Sequence, residues 1–106
     1  MGVFDFIGRK YQEAKDEMQK AEMEAETWYP EQICNVLERT SSISKITGYQ
    51  NELRRKAKDM SIDDLKCLFD YAWNKRNVKA CKALYTIMEE EGLCYKEDDG
   101  KIRRNY

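Results

Sequence analysis

The chain has 106 residues, with 19 basic and 20 acidic groups, four cysteines, one proline and no histidine. That length suits a single helical domain spanning residues 1–106, burying roughly 65% of the unfolded surface without metal or disulfides. A formal net charge of −1 lacks the strong imbalance that wholesale binding to phosphate backbones, or mimicry of a polyanion, requires.

A charged fraction of 37% beside only five glycines and one proline is the composition of a helix-rich chain. The expectation is an all-α fold: a small bundle of about five helices, with a long N-terminal helix over 1–29, a compact helical region over 30–92, and a tail or short β-hairpin over 93–106.

Phe4, Ile7, Tyr11, Ala14, Met18, Ala21, Ala25 and Trp28 follow one another at alternating spacings of three and four. This is a heptad stripe over about four repeats, predicting one long helix with a narrow apolar seam. Gly8 weakens its first turns. Pro30 disfavours helix at Tyr29 and suits the first position of a second helix running to about Arg39, with Ile33, Cys34, Val36 and Leu37 inward.

After the hydroxyl-rich Thr40 to Ser44, a third helix is expected to bury Ile43, Ile46, Gln50, Leu53, Ala57 and Met60 and to expose Arg54, Arg55, Lys56 and Lys58. Gly48 and Gln50 weaken the prediction for its first half. Ser61 can cap a fourth helix, with Asp63 and Asp64 opposing the positive end of its dipole; Ile62, Leu65, Leu68, Phe69, Ala72 and Trp73 are expected to form its buried face. A fifth runs from about Val78 to Glu91 and ends at Gly92, a residue suited to a left-handed cap. The short link between these two predicts an antiparallel helical hairpin. Asp99 and Gly100 mark a turn in the tail.

"LFD" at 68–70, Val78, "LY" at 84–85, Met88 and "GL" at 92–93 resemble one helix pair of the pentatricopeptide type, over about a quarter of the chain. That family binds single-stranded RNA through tandem arrays; no second copy is present here, and no RNA-binding residue follows from the resemblance.

Charge is segregated. Residues 1–38 carry four basic and nine acidic groups, 39–82 eleven and five, and 83–106 four and six. Acidic and basic segments are expected to face one another within the fold. Cys34, Cys67, Cys81 and Cys94 are too widely spaced to chelate a metal without histidine, so neither zinc nor any other cofactor is expected. With no signal sequence and no apolar run long enough to span a bilayer, the expectation is a cytoplasmic protein with reduced thiols and no stable membrane insertion. Were the chain exported, Cys67 and Cys81 are placed to pair across the helical hairpin.

No base for a nucleophilic triad and no phosphate-cradling glycine loop is visible, so the chain is not expected to be an enzyme. The first helix, at ~36 Å, is longer than the ~21 Å of the fourth and fifth, so its seam overhangs its own bundle. The expected function is protein binding through that seam, as a small adaptor or inhibitor, to another protein or a second copy of the chain. Two alternatives stand beside it: a nucleic-acid accessory protein using Arg54, Arg55, Lys56, Lys58, Lys75 and Arg76, or a homodimeric structural element.

Overall fold

A computed structural model describes the backbone of residues 3–106 and the side chains of residues 8–106. The described residues form five helices followed by a two-stranded antiparallel sheet: α1 Val3–Ala25, α2 Pro30–Arg39, α3 Ile43–Lys58, α4 Ile62–Asn74, α5 Val78–Glu90, β1 Cys94–Lys96 and β2 Ile102–Arg104. Its longest dimension is 56 Å.

Local signals set most of the boundaries. Tyr29 is extended, Pro30 begins α2, and the Gln32 side chain accepts from the Tyr29 amide at 2.8 Å, closing the helix start. Ser61 accepts from the Asp64 amide at 3.2 Å to cap α4, and Ile62, expected on the buried face, is instead 47% exposed in that first turn, with burial beginning at Leu65. At the end of α5, Gly92 has φ +73, and the Gly92 and Leu93 amides donate to Glu89 and Met88 carbonyls, a Schellman closure. The same closure ends α4 with Arg76 in the left-handed position, φ +56, where the Arg76 and Asn77 amides donate to Trp73 and Ala72 carbonyls.

α3 is the central element. α1 lies along one side of it, and α2 and α5 along others, while α4 packs on α5 and α2. This arrangement corrects the predicted inner face of α3. Ile43 is 82% exposed, whereas Gly48, Tyr49 and Glu52 are buried with Leu53 and Ala57. A helix with neighbours on several sides buries a band wider than one stripe. The core joins Ala21 and Ala25 of α1 to Ile33, Cys34 and Leu37 of α2, Leu53 of α3, Leu68 and Phe69 of α4, and Leu84 and Met88 of α5.

The tail is a docked hairpin. Cys94 pairs with Arg104, Tyr95 with Arg103 and Lys96 with Ile102, and Cys94 is buried. Arg104 bonds Asp70 of α4 at 2.6 Å, and the Asn105 amide donates to the Leu93 carbonyl at 2.8 Å. Two strands alone are marginal in water; here the helical hairpin supplies the missing surface.

Candidate protein-binding seam

α1 and α3 run in the same direction. Ser42 Oγ donates to Glu17 at 2.8 Å, Asn51 Nδ2 to Glu22 at 3.0 Å, and Lys56 Nζ to the Glu26 carbonyl at 2.6 Å. Where the helices cross, Gly48 sits directly against Met18 and Ala21. The seam residues Ala21 and Ala25 are sealed there, at 1% and 0% exposure. Helix α1 stops at Ala25, earlier than the expected end, because the chain turns so that Trp28 stacks on Tyr49, rings 5.7 Å apart and inclined by 20°. Burial, and then the neighbouring Glu24 carboxylate, raise the Tyr49 phenol above its ordinary pKa.

The other half of the seam lies beyond the start of α3. Among the described side chains, Glu17 makes the first tie of α1 to α3, and the 14 helical residues before it, 3–16, extend over about 21 Å. Side chains 8–16 are all exposed, Tyr11 at 71%, and Ala14 lies bare one turn later; Met18 is half-buried at the boundary. Phe4 and Ile7, the first two members of the stripe, have side chains outside the described residues. The seam thus divides into an inner part, Ala21, Ala25 and Trp28, held by α3, and an outer part, Tyr11 and Ala14, with Met18 between them. The polar side of the projection is internally bonded, Gln12 to Asp16 at 2.9 Å and Lys10 to Glu13 at 4.0 Å, as neighbours one turn apart on a helix can be.

Facing of the acidic and basic segments takes a different form from the one expected. Among the described residues no ion pair joins a carboxylate of α1 to a cation of α3; the ties are a serine, an asparagine and a lysine bonded to a backbone carbonyl. The carboxylates of Glu13, Asp16 and Glu24 remain as an acidic flank to the seam, around a crevice of about 470 Å³ shared with Lys45 and Tyr49.

The alternative basic set does not form one row. Arg54 turns inward and donates to the Ala83 carbonyl at 3.2 Å, Lys56 reaches Glu26, and Arg55 lies 2.9 Å from Glu52. Lys75 is held by Asn35 Oδ1 at 3.2 Å and Tyr71 Oη at 2.9 Å, which lowers the Tyr71 phenol's pKa. Lys58 and Arg76 remain exposed. Sequence reasoning missed Glu52, a carboxylate 2% exposed and compensated from its own helix by Arg55 and by Lys56 at 3.6 Å. Its only advance signal is the i, i+3 and i, i+4 spacing to two cations.

All four cysteines are free, with Cys67 exposed and the other three buried. Among the described residues no group of histidine, cysteine, aspartate and glutamate is gathered that could hold a metal, and no helix is long and apolar enough to cross a membrane. Comparison of the chain with protein-family models, curated proteins and solved structures found no match.

Proposed function

We propose that this chain is a non-catalytic protein-binding module, a small adaptor or inhibitor, that inserts the projecting half of α1 into an apolar groove on a partner. The observation that carries the reading is the division of one seam: the stripe continues unbroken through Tyr11 and Ala14, yet cover from the chain's own α3 ends near Met18. A helix offers such a groove anchors one turn apart. Glu13 and Asp16 beside the seam favour a basic rim on the partner and speed encounter with it. Four unpaired thiols suit a reducing, cytoplasmic setting.

Affinity capture from the native cell with the intact chain, with Tyr11→Ala and with Ala14→Glu tests this reading. Both positions are exposed, so thermal stability should stay unchanged while a specifically captured protein is lost. Retention of that protein by both variants would refute the docking role. Mass in solution distinguishes a foreign partner from a second copy: a dimer split by Ala14→Glu identifies the partner as the chain itself. Ala21→Glu is unsuited to this purpose, because Ala21 is buried against α3.

A further inference from the structure

A second groove, on the opposite chain terminus from the projecting seam, lies between the start of α5 and the hairpin, with a volume of about 400 Å³. Its apolar lining comes from Val78, 60% exposed at the first turn of α5, from Ile102 of β2, and from Trp73 and Cys81 beside them. Arg76, Lys82 and Lys101 line it as well, all exposed. Among the described residues none of these three cations has an ion-pair partner, in contrast to Arg103, which is held by Glu97 at 3.2 Å. Among the described residues no acidic side chain lines the groove. Arg76 also occupies the left-handed position that glycine would take at lower cost.

We infer that this groove binds an acidic peptide segment of a partner protein, seating one apolar side chain on Val78 and Ile102 while its carboxylates meet Arg76, Lys82 and Lys101. Charge complementarity selects the occupant: three cations without internal partners surround an apolar floor, so a ligand must bring both negative charge and an oily group. A nucleic acid fits less well. Trp73, which lines the groove, already carries the Arg104 guanidinium 4.8 Å from its centroid and packs against the tilted Phe69 ring at 5.5 Å, so a stacking base would have to compete with neighbours already in place. Arg54, Lys56 and Lys75 are engaged elsewhere and do not extend the cationic surface into a phosphate track. This site is independent of the projecting part of α1 and stands whether or not that seam docks.

The test is a titration of the isotope-labelled full chain, followed by amide shifts, with an acetylated heptapeptide carrying glutamates and aspartates around a Leu-Phe pair. Saturable shifts centred on Arg76, Val78, Lys82 and Ile102 are expected. The double variant Lys82→Glu with Lys101→Glu, and separately Val78→Asp, should each weaken binding about tenfold or more, while Tyr11→Ala leaves it unchanged. All these positions are exposed, and thermal melts verify that the variants fold. Absence of saturable groove shifts up to about 1 mM peptide, or equal affinity in the double variant, overturns the proposal. So does equal or tighter binding of a single-stranded decathymidylate at the same residues. Self-association of the chain that Lys82→Glu abolishes would assign the groove to a second copy and likewise overturn it.

Discussion

Gly48 of α3 meets Ala21 of α1 so closely that a Cβ placed on Gly48 would stand 2.8 Å from the Ala21 Cβ, with the Met18 carbonyl nearer still. The missing side chain lets the two helices approach, and this contact is what fixes where the projection begins. Gly48→Ala should gain about 1 kcal/mol of helix propensity and lose more through overpacking against backbone, which typically costs 1–3 kcal/mol. A net loss of up to about 2 kcal/mol in chemical denaturation is expected, with faster amide exchange in α1 from Glu17 onward. Unchanged exchange there would mean that α1 is not seated on α3.

The α4 to α5 turn contains opposed neighbours. Arg76 is in a left-handed conformation, so Arg76→Gly should stabilise the chain by about 1 kcal/mol. Asn77 is buried; its Oδ1 accepts from the Ala80 amide at 3.2 Å and its Nδ2 donates to the Cys34 carbonyl at 2.5 Å. Asn77→Ala removes a cap and a link to α2 together, for a loss of about 2–3 kcal/mol. Urea midpoints that move in opposite directions for the two substitutions are the expected result.

Burial pushes the Cys34 thiol up to about 12 and the Cys81 thiol up to about 11, from 9.0, with Glu31 adding to the first and Cys94 to the second. Above pH 9 the unfolded chain releases these protons while the folded chain keeps them. The unfolded state then binds fewer protons, so stability that is complete below about pH 9 falls as pH rises through 11 to 12. Urea midpoints measured from pH 7 to 11 should show the decline, and Cys34→Ala should make it shallower. In the native state at pH 8 a thiol reagent should modify Cys67 rapidly and the three buried cysteines only on unfolding.

The hairpin is fastened at Asp70, whose Oδ1 accepts from Arg104 Nη1 at 2.6 Å and from the Tyr106 hydroxyl at 3.0 Å. Burial and this carboxylate raise the Tyr106 phenol above its ordinary pKa. Asp70→Ala should loosen the tail without unfolding the helices. Hydrogen exchange at the Glu97 and Asn105 amides, bonded to the Lys101 and Leu93 carbonyls, should quicken about tenfold, with a change of only a few degrees in Tm. A collapse of the whole fold would instead make the hairpin part of its cooperative core.

Five helices, the Pro30 start, the Ser61 cap and the Gly92 stop were legible because each rests on residues close in sequence. Helical periodicity, proline geometry and left-handed caps act over one or two turns. The same locality made the heptad stripe readable from Tyr11 to Trp28, and with it the excess length of α1. Tertiary packing decided what the stripe touches. Nothing in the spacing distinguishes Ala14, bare to solvent, from Ala21, sealed by Gly48 twenty-seven positions later, because identical small residues acquire different surroundings only when a distant helix arrives. Gly48 itself read as a weakness of α3 and proves to be a position where α1 leaves no room for a side chain. Likewise the basic run at 54–58 was visible as composition, but the inward turn of Arg54 and Lys56, the burial of Glu52 and the cationic groove beside β2 arise from helix orientations in space, which no local pattern of charge encodes.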